Sequence, residues 1–214
     1  MQALSFQKTR EILSKYKIPF CETYLVNSKR EALMLAKKLG FPVVLKVFSP
    51  DILHKTDVGG VKIGIENERD LKRVFDEILF SLKEKKPKAK IEGMLIQKQI
   101  FGKEVVVGMK RDLAFGPVLM FGLGGIFVEI LNDVAFRVAP ISKREALKMI
   151  REIKSFKILK GFRGEKPVNI EKIAEIIVKV SKLSLKEEKI QEIDLNPIIA
   201  NEKGAQVVDA RVLL

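Results

Sequence analysis

The chain has 214 residues, a formal net charge of +13 and a composition that is nearly half hydrophobic. These values predict one large domain or two small lobes around a buried core, and they exclude a disordered chain. No apolar run reaches the about 18 residues that a transmembrane helix needs, and the N-terminus lacks the apolar centre of a signal peptide. A single cysteine, Cys21, excludes an intrachain disulfide. We therefore expect a cytoplasmic protein without membrane association.

The positive charge has several candidate explanations. Nucleic acid, a small polyanion such as ATP, or an acidic protein partner would each account for it. Most lysines are interleaved with glutamates, which is also typical of solvated helix faces in proteins of heat-loving organisms. The cluster KEKKPKAK at residues 83–90 contains Pro87 and is interpreted as a solvated loop. Because tryptophan is absent and aromatic residues do not alternate with basic ones, we expect no nucleic-acid partner.

Capping residues mark where the helices begin. The hexamer SKREAL occurs twice, and each Ser is followed three residues later by Glu, which predicts a capping box. Gly40 is a suitable C-cap for the first of these helices, and the helix that follows Asn67 should end at about Leu82. Five helices are thus predicted, over residues 5–16 and after Ser28, Asn67, Ser142 and Asn169.

Strand-like segments lie between the helices. Several follow one another through glycine turns, which predicts a two-lobed α/β (α+β) fold with mixed β-sheets rather than one doubly wound sheet. We place a small lobe at residues 17–97 and a large lobe at residues 98–214, within a single unit covering residues 1–214. The predicted strands are near residues 23–26, 42–48, 61–65, 91–99, 104–110, 117–121, 134–139, 190–200 and 205–213.

The segment SPDILHKTDVGG, residues 49–60, contains the only histidine, His54. It follows an apolar strand in which Lys46 requires either a carboxylate partner or a phosphate. A neutral imidazole nitrogen can act as a nucleophile, and Gly59 and Gly60 would let the loop approach phosphates or move. Considered without their context, these residues also fit an inert surface histidine.

A second glycine-rich segment, FGLGGIFVEI, covers residues 121–130. Its backbone N–H groups could bind an anion at a helix start, and a plain tight turn explains the glycines equally well.

The last thirty residues predict a hairpin whose register follows from its turn. If residues 201–204 form the turn, Ala200 pairs with Ala205 and Asn196 lies opposite Asp209. Two hard oxygens aimed at one point suit Mg²⁺, although an incidental polar pair on a surface hairpin has the same pattern. A slip of one residue would separate the pair.

Several long motifs occur in an order that resembles a known family. They are PVVLKVFSPDILHKTDVGGVKIG, GMLIQKQI, GKEVVVGMKRD, FGLGGIFVEILNDVAFRVAPIS and EIDLNPI. Together they resemble the ATP-grasp β subunit of ADP-forming acyl-CoA synthetases, the acetyl-CoA synthetases in particular, over almost the whole chain. A more distant likeness to the succinyl-CoA synthetase β subunit covers the Lys46 strand, the diglycine and the final hairpin. The resemblance implies an ATP-grasp fold.

The resemblance also implies the roles of individual residues. His54 would accept a phosphoryl group on its way between a partner subunit and ADP. Asn196 and Asp209 would hold Mg²⁺, and the strand at residues 96–98 would contact adenine through its backbone. The implied nucleotide-binding residues are Lys46, Gly59, Gly60, Ile96, Gln97, Lys98 and Glu104.

The implied reaction converts acyl-CoA, ADP and phosphate reversibly into acid, CoA and ATP. An α subunit would carry the CoA-binding domain and the first phosphohistidine, in an α₂β₂ complex, so this chain should be inactive alone. Two alternatives remain: another ATP-grasp ligase that forms an acyl phosphate directly, and a basic nucleic-acid-binding module.

Overall fold

The computed structural model of the protein describes residues 2–52, 55–162 and 164–214. The chain divides into two compact units. The inserted unit is Cys21–Ile100, and the larger unit comprises Met1–Phe20 and Phe101–Leu214. Every helix among the described residues is too short or too polar to cross a membrane.

The helices are separated by single strands and by runs of consecutive strands, as the capping residues and strand-like segments predict. In chain order they are α1 (Phe6–Lys15), β1 (Thr23–Val26), α2 (Lys29–Leu39), β2 (Val43–Phe48), β3 (Val61–Ile65), α3 (Glu68–Lys85), β4 (Gly93–Lys98), β5 (Lys103–Asp112), β6 (Gly116–Leu123), α4 (Ile126–Glu129), β7 (Val134–Val138), α5 (Lys143–Glu152), α6 (Phe156–Leu159), α7 (Ile170–Lys186), β8 (Glu192–Asn201), β9 (Gly204–Val207) and β10 (Ala210–Leu213).

The inserted unit is a four-stranded antiparallel sheet in the order β1-β4-β2-β3. Helices α2 and α3 cover one face, where Leu45 and Ile96 pack with Leu71 and Ile78 in a buried apolar cluster. Because side chains alternate along a strand, Lys46 and Gln97 lie on the opposite face. The face without helices therefore carries two of the candidate nucleotide-binding residues.

The larger unit is a six-stranded sheet in the order β10-β8-β5-β6-β7, with β9 also paired to β8. The ladders between its described strands are antiparallel, and α5 and α7 pack on the face that carries Val105, Val107 and Leu195. Phe20 and Val207 form an isolated parallel bridge in this unit.

Residues 17–20, placed in the small lobe by the sequence analysis, belong to the larger unit. The Val207 N–H donates to the Pro19 carbonyl at 2.8 Å, next to the Phe20–Val207 bridge. These backbone contacts hold the segment to β9.

The predicted caps begin the helices, with one difference at α2. Ser28 accepts from the Glu31 N–H, but the Glu31 carboxylate accepts from Asn27 rather than from Ser28. A complete capping box is present at Ser142. The capping box predicted at Ser28 is therefore wrong in one half, because Glu31 reaches one residue further back.

The ends of two other elements also differ from the prediction. Helix α3 continues past Leu82 to Lys85, whose ammonium donates to the Asp57 carbonyl at 3.0 Å, so KEKKPKAK is loop only after its first three residues. The strand predicted at residues 205–213 is two strands, β9 and β10. The break lies opposite Pro197, which has no N–H to donate to a ladder.

The two ends of the chain are neighbours in the larger unit. Gln2 donates to the Leu214 carbonyl at 3.1 Å, and Leu214 donates to the Gln2 carbonyl at 3.0 Å. Ala3 forms an antiparallel bridge with Leu213. The first residues therefore extend the edge of the sheet beside β10.

Candidate functional site

Lys46 lies in the middle of β2, and only 6% of it is exposed. Its neighbours across the ladders are Val61 and Leu95, so its side chain leaves an apolar strand on the face without helices. Burial raises the pKa of the Cys21 thiol, and the positive charge of Lys46 opposes that rise. The ammonium group therefore acts electrostatically on Cys21, a residue that the sequence analysis used only to exclude a disulfide.

The three candidate residues on β4, Ile96, Gln97 and Lys98, have side chains with different surroundings. Ile96 is fully buried in the apolar cluster, and Gln97 is 2% exposed on the same face as Lys46. The Lys98 ammonium donates to the carbonyls of Gly40 and Phe41 at 2.7 and 2.8 Å, which ties it to the C-terminal end of α2. An adenine contact through the backbone of these residues stays a prediction.

His54 and Leu53 lie outside the described residues. On either side of them the loop is fixed to the inserted unit. The Asp51 carboxylate accepts from the Lys90 N–H at 2.7 Å, and Ile52 and Val58 are buried in the apolar cluster. The described residues on either side of position 54 are thus held to the inserted unit.

Gly59 and Gly60 close this loop. Gly59 donates to the Thr56 carbonyl at 2.9 Å, and Gly60 donates to the Lys55 carbonyl at 2.7 Å. A Cβ at Gly60 would meet a Val47 methyl carbon at 2.5 Å, so only glycine fits so close to β2. Both amide N–H groups are engaged within the loop, and a nucleotide contact through these glycines stays a prediction.

In the larger unit, Glu104 is exposed near the start of β5 on the face away from the core. The Gly124 N–H donates to the Glu104 carbonyl at 2.8 Å, and Gly125 has a positive φ of 63°. The two glycines therefore form a tight turn against β5, the plainer of the two interpretations of FGLGG.

The final hairpin has the predicted register. Ala200 pairs with Ala205 across β8 and β9, and Asp194 pairs with Arg211 across β8 and β10. Between these ladders, the Asn196 N–H donates to the Asp209 carbonyl at 3.2 Å. The register thus brings the amide and carboxylate side chains to the same position along the hairpin.

This pair fits a magnesium ion by the chemistry of its donors. Mg²⁺ prefers oxygen ligands and is usually held by one or two carboxylates together with substrate phosphates and water. Among the described residues there is no group of three or more His, Cys, Asp and Glu side chains that could hold a metal. The amide oxygen of Asn196 and the carboxylate of Asp209 are donors of the kind that Mg²⁺ prefers.

Many surface cations pair with carboxylates of their own unit. Examples are Lys29 with Asp76 at 2.6 Å and Lys37 with Glu68 at 3.0 Å, both on the helices of the inserted unit. In the larger unit, Lys103 pairs with Glu165 at 2.6 Å. Such pairing of lysines with carboxylates is typical of solvated helix faces.

Comparison with known proteins gives a match over the full length. A family model described as an ATP-grasp domain matches residues 1–214. The β subunit of acetate–CoA ligase [ADP-forming] I from Pyrococcus furiosus is 52% identical over 97% of this chain and 90% of its own length. Acetate–CoA ligase [ADP-forming] I from Archaeoglobus fulgidus is 50% identical over 95% of this chain, which spans only 30% of that protein.

Solved structures of acetyl-coenzyme A synthetase 1 from Ca. Korarchaeum cryptofilum are similar to the whole chain. One, in complex with coenzyme A, Ca-AMPCP and HgCl⁺, is 44% identical with a TM-score of 0.94, covering 100% of this chain and 93% of that one. Another contains coenzyme A and Mg-AMPPCP, with its phosphohistidine segment pointing towards the nucleotide binding site. It is 40% identical, with a TM-score of 0.84 and coverage of 100% and 93%.

Proposed function

This chain belongs to the ATP-grasp family of ADP-forming acyl-CoA synthetases, and on that premise we propose how it transfers a phosphoryl group between a partner subunit and ADP. It is the nucleotide-binding β subunit of an acid–thiol ligase, as its sequence motifs predict. The observation that carries the proposal is the 52% sequence identity to a β subunit, over 97% of this chain and 90% of that subunit.

The reaction is the reversible conversion of acyl-CoA, ADP and phosphate into acid, CoA and ATP. The preferred acid is acetate, since the relatives named above are acetate–CoA ligases. The α subunit supplies CoA binding, acyl chemistry and the first phosphohistidine. This chain spans only 30% of the Archaeoglobus fulgidus relative. That coverage supports the assignment of CoA binding and acyl chemistry to a part of the enzyme outside this chain. The complex is α₂β₂.

The inserted unit supplies the charge for the nucleotide phosphates. Lys46 contacts them from the face without helices, where its burial makes an anionic ligand favourable. The backbone of Ile96 and Gln97 passes the adenine. The larger unit contributes Glu104 beside the nucleotide and the hairpin oxygens of Asn196 and Asp209.

Asn196 and Asp209 hold Mg²⁺ with the nucleotide phosphates. When the ion is bound, it neutralises part of the negative charge of the phosphates. The carboxylate of Asp209 also accepts from the Ala210 N–H at 3.0 Å, which fixes its orientation on the hairpin.

His54 is the relay residue. In the first transfer, a neutral imidazole nitrogen of His54 forms a P–N bond as the P–N bond of the partner's phosphohistidine breaks. In the second, a terminal oxygen of ADP forms a P–O bond as the P–N bond of His54 breaks, which restores the imidazole and gives ATP. The electron pair returns to histidine nitrogen each time, so no oxidant or further reactant is needed.

The test combines the chain with its α subunit and follows formation of ATP from acetyl-CoA, ADP and phosphate. His54→Ala should abolish turnover while ADP binding survives, because the imidazole acts only in transfer. Thr56→Ala, at an exposed residue of the same loop, should leave both unchanged. Normal turnover by the His54 variant would contradict the relay and favour direct formation of an acyl phosphate.

A further inference from the structure

The side chain of Gln97 carries a buried hydrogen-bond acceptor that contributes no hydrogen bond to the described part of the fold. The residue is 2% exposed, and its side-chain Oε1 has no hydrogen-bond partner among the described residues. Leaving such an acceptor unpaired is unfavourable, and native proteins do so rarely. The proposed function assigns Gln97 a backbone role only, so its side chain requires its own explanation.

The buried Cys21 thiol is a neighbour of Gln97. Burial raises the pKa of this thiol, and Gln97 opposes part of that rise. Cys21 is itself fixed by weak hydrogen bonds to the carbonyls of Lys98 and Glu22. A carboxamide oxygen accepts hydrogen bonds and cannot donate them, so Oε1 requires a donor that these contacts do not supply.

An acceptor restricts the ligand group that can meet it. Phosphate oxygens at neutral pH are acceptors, so Oε1 cannot bind them. The donors on ADP are the ribose hydroxyls and the exocyclic amino group of adenine. Gln97 lies directly opposite Val44 and two residues from Leu95 on the same sheet face, and both of these residues are apolar and 5% exposed. A flat aromatic base suits such a surface better than a hydrated ribose.

The position of Gln97 relative to Lys46 agrees with adenine as the group that it meets. Lys46 lies directly opposite Leu95, which makes it the diagonal neighbour of Gln97 on this face. Diagonal Cβ atoms in an antiparallel pair are about 7–8 Å apart. The spacing lets a long lysine side chain reach phosphate while the shorter glutamine meets the base of the same nucleotide.

We propose that the Gln97 carboxamide oxygen accepts a hydrogen bond from the exocyclic amino group of adenine. Gln97 is thus a specificity-determining residue for 6-aminopurine nucleotides. The inference rests on the proposed nucleotide-binding function. Because Oε1 is buried, the side chains that cover it must move aside when the base binds.

The test measures the dissociation constants of ADP and of purine riboside 5′-diphosphate, which lacks the amino group, by calorimetry on the isolated chain. The wild-type chain should bind ADP about tenfold more tightly, the scale of one hydrogen bond to a buried acceptor. Gln97→Leu should bind the two nucleotides equally. Gln97→Glu keeps an acceptor and should restore the preference for ADP.

The control is Gln206→Leu, the same change at an exposed residue of β9, which should retain the wild-type preference. Equal binding of both nucleotides by the wild-type chain would overturn the inference and leave the proposed function standing. A preference that persists in Gln97→Leu would overturn it as well. Failure of the wild-type chain to bind either nucleotide would instead contradict the proposed function, on which the inference rests.

Discussion

Asn196 and Asp209 face each other where β8 passes from its ladder with β9 to its ladder with β10, joined by the Asn196 N–H to Asp209 carbonyl bond of 3.2 Å. The register on both sides of the pair is fixed by complete ladders. The backbone ladders therefore fix where this polar pair lies along the hairpin.

Removal of either oxygen should weaken Mg-dependent ADP binding. We expect Asn196→Ala and Asp209→Ala to raise the dissociation constant of ADP by about tenfold or more in Mg²⁺, since a charged contact contributes about 1.5–3 kcal/mol. Titration calorimetry with and without Mg²⁺ measures the effect. Glu202→Ala, at the turn of the same hairpin, serves as the control. Equal loss of affinity in the absence of Mg²⁺ would argue against a metal role.

Replacement of Lys46 by methionine tests the phosphate contact. The change keeps the buried aliphatic stem and removes the charge, so nucleotide affinity should fall roughly 10- to 100-fold while the chain stays folded. Lys62→Met on β3 is the matched control, since Lys62 pairs with Glu77 on the helix-covered side at 4.0 Å. If Lys46→Met instead lowers the free energy of unfolding and leaves the nucleotide affinity of the folded chain unchanged, Lys46 is a partner for a carboxylate, the alternative that the sequence left open.

A methyl group at Gly60 should destabilise the loop that carries His54. In Gly60→Ala the new Cβ would lie 2.5 Å from a Val47 methyl carbon and 3.0 Å from the Lys55 carbonyl oxygen. Such overpacking costs about 1–3 kcal/mol in the free energy of unfolding, measurable by urea denaturation. Gly204→Ala, where nothing lies within 4 Å of the new atom, should be close to neutral. Equal effects of the two changes would show that close packing is not the cause.

Asp133 should make stability depend on pH. Burial opposes ionisation, but hydrogen bonds from Ser155 and Lys154 outweigh it and lower the pKa of Asp133. The backbone N–H groups of these residues meet the carboxylate at 2.7 and 2.8 Å. Because the folded pKa lies below the unfolded one, the carboxylate stabilises the fold above an unfolded pKa of about 3.9. That stabilisation is lost as pH falls through the folded value.

Asp133→Asn should therefore lower the free energy of unfolding by about 1–3 kcal/mol at pH 7, and the difference from wild type should shrink as pH falls below about 4. Urea denaturation at a series of pH values measures it. Asp76→Asn, in an exposed ion pair with Lys29, should change stability by less than about 1 kcal/mol. A difference between wild type and Asp133→Asn that is constant with pH would contradict the assignment.

Local signals in the sequence predicted much of this architecture. Ser28, Asn67, Ser142 and Asn169 begin helices because a cap depends on residues within one turn of it. The hairpin register followed from its turn, since a fixed turn sets every later pair. Both are decided by neighbours in the chain.

Features set by distant residues could not be predicted in this way. Helices α4 and α6 have four residues each, too few to show a period. The engagement of the Gly59 and Gly60 amides depends on how the loop closes on itself. That the side-chain oxygen of Gln97 lacks a partner among the described residues depends on how distant side chains pack around β4. At each of these places tertiary contacts, not local preference, decide the structure.

The hydrogen bonds between Gln2 and Leu214 bring both termini to one edge of the larger unit. A covalent extension therefore departs from nearly the same point whether it precedes the chain or follows it, and the order of domains in a fusion protein matters little to this fold. By the same reasoning, a circular permutant closed by a short linker across the termini and opened between Glu202 and Lys203 should retain its sheet connectivity.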